Sequence, residues 1–454
     1  MVTKAKINNS THITTRILLA PLDWGLGHAT RCIPIIKELL RLKCDVIIAT
    51  SGAQKALLQE EFPLLSFVEL TGYNVKYGKN RALTLLKIIT WIPEILIRIK
   101  HENKWFRQFL NTESVDAVIS DNRYGLYDGD VFSIFMTHQL CIKSSSGRWA
   151  DRLLQRINYR AINRFSLCWV PDLEEDPEKD GNKEHALAGE LSHPKMMPHI
   201  PTRYIGLLSR FEPCIPEGTG GGETRAAGMG LGGGPSGTAP LLILLSGPEP
   251  QRSIFEKKIL GQLKGYAGKV VLVRGLPGAG VTPALSAQSG GETGIGTGRT
   301  DAEAPTVSTA LTIHNHLPSA ALNRIVCEAG LVISRPGYSS IMDLLKLRKK
   351  CIFVPTPGQT EQEYLGDHLA DRKLAVCMPQ RRFSLSHALA LAKDFPFADA
   401  GAGNDLMIGN TDRGLPMGEA VAAEIQAQGE AKASPTVLQS EIRLFLEMLA
   451  AQRK

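Results

Sequence analysis

The sequence predicts an α/β chain of two Rossmann-like, doubly wound domains facing a cleft. Three observations carry that expectation. At 454 residues the chain exceeds the size at which one hydrophobic core usually divides. Short apolar runs alternate with helical patterns, as in parallel sheets crossed by helices. Glycine-containing turns follow several of those runs, at the strand ends where open sheets of this kind receive ligands. The expected domains are 1–200 and 201–454.

In the first domain the apolar run 16–21 reads as a strand, 23–30 as a glycine-rich turn and 31–42 as an amphipathic helix. Strands follow at 45–50, 115–120 and 131–137, and 167–170 reads as the last one. Residues 171–201 are polar and proline-punctuated, so they read as the approach to a linker. Residues 84–110 are strongly apolar but interrupted by Lys87, Pro93 and Glu94, too broken for a membrane-spanning helix. A buried helix pair fits this stretch. An interfacial element also fits, given Trp91, Trp105 and the basic residues Lys76, Lys79, Arg81, Arg98, Lys100, Lys104 and Arg107.

The second domain opens at 241–247 and continues through apolar runs at 269–274, 310–314, 331–334 and 351–355, with a last apolar helix at 436–449. Low-complexity inserts near 214–239, 276–306 and 400–435 interrupt it. Such segments bury too little apolar surface to offset the entropy of ordering them, so they are expected on the surface.

Composition sets limits on function. The net charge of +7 (52 basic against 45 acidic residues) suits anionic partners such as nucleotides, diphosphates or an acidic membrane surface. No basic stripe with interleaved aromatics points to nucleic acid. The eight cysteines are scattered without a C-x-x-C pair, which reads as free, buried thiols of a cytoplasmic chain. The first fifteen residues are polar and lack the apolar core of a secretion signal.

The most informative stretch is Ile333-Ser334-Arg335-Pro336-Gly337-Tyr338-Ser339-Ser340 with Asp343, followed by Gln359, Glu361, Gln362 and Glu363. A strand, a tight turn and a helix start make an anion site from free backbone N–H groups. Asp343 and the Gln/Glu loop offer acceptors for sugar hydroxyls, so the pair of features describes a nucleotide-sugar pocket. Ser246-Gly247 forms a second glycine turn at a strand end.

In the first domain, Gly25-Leu26-Gly27-His28-Ala29-Thr30 opens a helix. It is not a dinucleotide fingerprint, because Thr30 stands at the third glycine and strand 45–50 ends without the ribose-binding acid. His28 fits a general base near neutral pH, or a residue that caps the turn. Asp121-Asn122-Arg123 and His138-Gln139 follow strands and present polar groups at the same edge. Asp128-Gly129-Asp130 has the D-x-D form of a metal clamp but lacks supporting ligands.

On these residues the chain resembles the family 28 glycosyltransferases of the two-domain GT-B fold, most strongly over 333–364. The resemblance implies that Asp343 binds the ribose, that Gln362 and Glu363 hold donor-sugar hydroxyls, and that Arg210 and the Ser246-Gly247 turn contact the diphosphate. It places His28 toward the acceptor. The sequence departs from the family where Asp121–Gly125 replaces a further glycine-rich loop and where Glu363 replaces one glutamine.

The expected enzyme is an inverting hexosyltransferase that moves a sugar, N-acetylglucosamine first, from a UDP donor to an acceptor hydroxyl on a lipid-linked or cell-envelope glycan. The base is His28 or Asp121. The donor lies against Arg210, Ser246, Gly247, Ser334, Arg335, Gly337, Tyr338, Ser339, Ser340, Asp343, Gln359, Glu361, Gln362 and Glu363. The acceptor lies against Gly25, Gly27, Thr30, Asn122, Arg123, His138 and Gln139. No cofactor or metal is expected, and residues 84–107 are expected to touch an anionic membrane from its cytoplasmic side. A GT-B epimerase and a non-catalytic nucleotide-sugar-binding protein are the alternatives.

Overall fold

The computed structural model describes residues 14–72, 84–144, 147–175, 186–214, 239–277, 309–398 and 435–452, with the side chains of 84–93 set aside. The three low-complexity inserts lie almost wholly outside the described residues. The first domain is a seven-stranded sheet built from β1 (Arg16–Pro21), β2 (Asp45–Thr50), β3 (Ser66–Glu69), β4 (Ala117–Asp121), β5 (Phe132–Met136), β6 (Leu167–Val170) and β7 (Thr202–Tyr204). Its order is β3-β2-β1-β4-β5-β6-β7, with every pairing parallel. Helices α1 (Leu26–Arg41), α2 (Gly52–Glu61), α3 (Thr84–Thr112) and α4 (Arg148–Ile162) connect the strands.

The second domain is a six-stranded parallel sheet of β8 (Leu241–Leu244), β9 (Gly268–Val273), β10 (Thr309–His314), β11 (Leu331–Ser334), β12 (Cys351–Phe353) and β13 (Val376–Cys377). Its order is β10-β9-β8-β11-β12-β13. Its helices are α5 (Gln251–Gln262), α6 (Ser319–Glu328), α7 (Tyr338–Lys346), α8 (Thr360–Asp371) and α9 (Leu385–Asp394), and α10 (Val437–Gln452) ends the described chain. Strands such as Leu18–Ala20, Ile47–Ala49 and Leu241–Ile243 are apolar on both faces because helices cover both sides of a parallel sheet.

Strand order reverses between β1 and β4 in the first sheet and between β8 and β11 in the second. Those reversals open crevices at the carboxyl ends of the strands, which is where such sheets bind ligands. The register puts Pro21 beside Asp121, so the turn into α1 and the end of β4 reach the first crevice together.

Several expectations change. Helix α1 begins at Leu26, with Gly25 as its cap at φ 83°, so His28 sits in the first helical turn rather than in a loop. Helix α3 is one 29-residue element, not a pair. Its Ile99, Phe106 and Phe109 are buried, and Trp105 stacks on Phe109 at 5.4 Å, so this tryptophan packs toward the core. Trp91 falls outside the described side chains.

The first sheet gains β7 beyond the expected last strand, and α10 returns to it. Phe445 packs against Phe132 and Trp169, and Glu441 pairs with Arg203. Finally, Cys214 and Cys327 form a disulfide with Cα atoms 5.5 Å apart. It corrects the expectation of free thiols for those two; a separation of 113 residues left no local signal. The other six cysteines are free.

Candidate functional site

At the first crevice a cluster of ionisable side chains closes around Asp121, the last residue of β4. Asp121 is fully buried. His28, in the first turn of α1, places Nδ1 3.0 Å from Asp121 Oδ2. Arg31, one turn further and therefore on the same helix face, donates Nε to Oδ2 at 2.9 Å and Nη2 to Oδ1. Burial alone would raise the carboxyl, but the Arg31 and His28 charges bring it down to about 2. His28 sits below its ordinary value, since burial and the Arg31 charge outweigh the pull of Asp121. The outcome is an ionised Asp121 beside a neutral imidazole whose side chain keeps 14% exposure.

The second crevice is furnished differently. Gly337 caps α7, with open space where a side chain would stand. Ser339 Oγ donates to Gly27 O across the domain boundary at 2.8 Å, so the two helix starts meet. Gly247, at φ 98°, turns the chain after β8 with Thr356 Oγ1 facing it. Gln359 caps α8. Beside Gly25, a cavity of about 310 Å³ opens between Asp23, Ser51–Gln54 and Gly275–Pro277, and so is walled by both domains.

Further contacts cross the cleft. His138 Nε2 lies 2.8 Å from Glu361 Oε1, and the His138 ring stacks on Tyr338 with centroids 4.3 Å apart. Thr360 Oγ1 donates to Lys143 O, and Arg372 donates to Ala186 O.

Some residues expected to meet substrate are spent inside the fold. Arg335 is buried, donating to the carbonyls of Val354, Pro355 and Gln251 and to Gln380 Oε1. It braces the β11 and β12 ends instead of facing a phosphate. Arg123 is buried likewise on Glu102 at 2.7 Å and on the carbonyls of Pro21, Leu70 and Thr71. Asp343 accepts Ser209 Oγ at 2.8 Å and the Arg210 N–H at 3.2 Å, with the Arg210 guanidinium 3.4 Å away. Asp343 and Arg210 therefore fasten the linker to α7 rather than stand free for ribose and diphosphate.

Gln362 Oε1 accepts Thr356 N, Glu363 Oε1 accepts Gly358 N, and Ser334 Oγ donates to Arg335 O. Thr30 closes on Gly27 O. Gln139 gives its carbonyl to Asn158, and Asn122 takes φ 56° at the β4 end. Ser246 and Ser340 are half-buried at the second edge. In the D-x-D turn, Asp128 accepts the Asp130 N–H and lies 3.5 Å from Arg107. Among the described residues no cluster of metal-ligating side chains occurs. Arg31 was not among the expected site residues. The i, i+3 spacing to His28 was the signal that could have found it.

Residues 308–393 match the model of the glycosyltransferase family 28 C-terminal domain. Similar solved structures include Arabidopsis thaliana UGT89C1 complexed with quercetin, at 11% identity over 96% of this chain and 99% of that one, with a TM-score of 0.53. CalG4, the calicheamicin glycosyltransferase, shows 12% identity over 97% and 99%, with a TM-score of 0.51. The glycosyltransferase SnogD from Streptomyces nogalater shows 12% identity over 95% and 99%, with a TM-score of 0.50. No curated protein matches the chain by sequence. The fold is GT-B, and residues 308–393 carry a domain of the glycosyltransferase family 28 C-terminal type.

Proposed function

We propose that this enzyme moves a sugar, N-acetylglucosamine first, from a UDP-sugar to an acceptor hydroxyl with inversion. The observation that carries the proposal is His28, oriented by Asp121 and directly across the cleft from the start of α7. With its Nδ1–H given to Asp121, His28 offers the Nε2 lone pair to the acceptor O–H. The proton passes to Nε2, the acceptor oxygen bonds to the anomeric carbon from the free face, and the bond from that carbon to the diphosphate oxygen breaks. UDP leaves with the electron pair. The first-turn amides of α7 and its dipole stabilise that charge, and the Gly247 turn lets the backbone come close. The acceptor enters beside Gly25.

Turnover without a metal belongs to the same proposal, because Asp128 is engaged by Arg107 and by its own turn. So does attachment to an anionic membrane that carries a lipid-linked acceptor. The surface that supports it is α4, where Trp149 is 65% and Leu153 50% exposed beside exposed Arg152, Arg156 and Arg160. Each basic residue near such a surface contributes roughly 1 kcal/mol. No described helix is long and apolar enough to cross a membrane.

A panel of nucleotide sugars tests the donor, because a ligand bound only by the folded state raises the melting temperature. UDP-N-acetylglucosamine is expected to stabilise most and UDP less, with transfer surviving chelation of divalent metals. Stronger stabilisation by thymidine-diphosphate sugars would sink the donor assignment, and release of free epimerised sugar without acceptor would favour the epimerase. Flotation with anionic vesicles at low salt, lost at high salt, tests the surface.

A further inference from the structure

We infer that Arg31 is a positioning residue that holds the His28–Asp121 pair ready and ties it, through His138, to Glu361 of the donor domain, so that the base is set when the two domains are closed. The inference rests on the proposed transfer, since it takes His28 as the base.

The geometry allows one consistent proton arrangement. Arg31 is 2% exposed and meets three partners at once. Its Nε and Nη2 grip both oxygens of Asp121 as a fork, the strong geometry for a guanidinium and a carboxylate. Its Nη1 lies 3.0 Å from His138 Nδ1. A guanidinium only donates, so His138 Nδ1 accepts and its Nε2–H points at Glu361 Oε1. The imidazole of His138 thus relays orientation from α1 in the first domain to α8 in the second.

At His28 two groups compete for Nδ1. Asp121 Oδ2 and Arg31 Nη2 both stand 3.0 Å away. A lone pair on Nδ1 would face the ionised Asp121 carboxylate, which can only accept, so Nδ1 carries the proton toward Oδ2 and Nε2 stays free for the acceptor. Arg31 then acts on His28 through charge. The groups around the imidazole are Asp121, Arg31 and His138, with Glu361 behind His138 and the Cys32 thiol on Asp121. Of these, Arg31 and His138 oppose protonation of His28 and Asp121 favours it. Without Arg31, the opposing charge disappears and Asp121 is released to hold an imidazolium. The base would then be lost to protonation at a higher pH.

A merely structural arginine would change stability and leave that titration alone. The experiment therefore compares Arg31→Lys, Arg31→Gln and Glu361→Gln for kcat, donor KM, the acid limb of the kcat profile and melting temperature, with the His28 titration followed by 15N NMR. Arg31→Lys keeps a charge but cannot span three partners. It is expected to lower kcat about tenfold or more with donor KM nearly unchanged and the acid limb little moved. Arg31→Gln removes the charge and is expected to lower kcat further and to move the acid limb and the His28 midpoint upward; if it fails to fold, the kcat of the lysine variant decides.

An Arg31→Lys enzyme with wild-type kcat, or an Arg31→Gln enzyme with the wild-type acid limb, overturns the positioning role. Glu361→Gln is expected to lower kcat at unchanged donor KM; a rise in KM alone makes Glu361 a donor contact and overturns the link between domains. Retention of kcat by His28→Ala is a separate result, because it removes the base itself.

Discussion

At the carboxyl end of β4 the first domain buries an ion cluster, Asp121 with Arg31 and His28. At the matching end of β11 the second domain turns its arginine inward onto carbonyls and leaves glycine, hydroxyls and helix-start amides toward the cleft. Both edges are strand-order reversals in parallel sheets, so the architecture is common and the chemistry is not. The difference matches the division of labour proposed above. A proton acceptor has to be fixed in one tautomer, which needs a permanent charge beside it. A diphosphate needs preorganised positive dipoles, which backbone supplies without an unpaired buried side chain.

The sharpest way to break this comparison is to remove the base. His28→Ala is expected to lower kcat by roughly two to four orders of magnitude, the usual range for a positioned general base, while UDP still raises the melting temperature. Loss of both together would mean that the two edges are not functionally separate. In the wild type, kcat should be retained above the His28 pKa and fall as pH drops through it. Because that pKa lies below its ordinary 6.5, the fall is expected on the acid side of 6.5.

The next largest effect tests the claim that the first edge uses buried charge structurally as well. Arg123→Gln removes the cation that neutralises buried Glu102, which keeps the Gly125 N–H, and is expected to cost about 3–5 kcal/mol of stability. Chemical denaturation measures it; a change under 1 kcal/mol would put the pair in the class of surface contacts.

Asp343→Ala probes the second edge. It leaves Ser209 Oγ and the Arg210 N–H without their acceptor, an expected loss of about 1–3 kcal/mol in stability, with UDP affinity little changed. A large loss of UDP affinity at unchanged stability would return Asp343 to the ribose.

The smallest effect sharpens the backbone half of the comparison. Gly247→Ala forces an L side chain into φ 98° at a cost of about 1–2 kcal/mol. The UDP-dependent rise in melting temperature should shrink while kcat at saturating donor persists. An unaltered UDP response would remove this turn from the donor site.

Two α/β domains, most of their strands and the helix opening at Tyr338 followed from the sequence, because buried parallel strands are continuous apolar runs and turns carry glycine. So did the family 28 likeness over 333–364 and the placing of His28 and Asp121 at one sheet edge, since strand-end polar residues keep local order in the chain. What the sequence could not decide was where a charged side chain spends its hydrogen bonds. Arg123 and Arg335 looked like ligand contacts and are braces, because their partners, Glu102 and the carbonyls of Val354 and Pro355, reach them only through the fold. Arg31 looked like a helix residue and lies at the centre of the ion cluster, because Asp121 lies 90 residues away and meets it only when β4 pairs with β1. The Cys214–Cys327 bond and the return of α10 to the first sheet were hidden for the same reason. Local pattern fixes which elements form, whereas contacts between residues far apart in sequence carry no local signal and are settled only when the sheets and domains close.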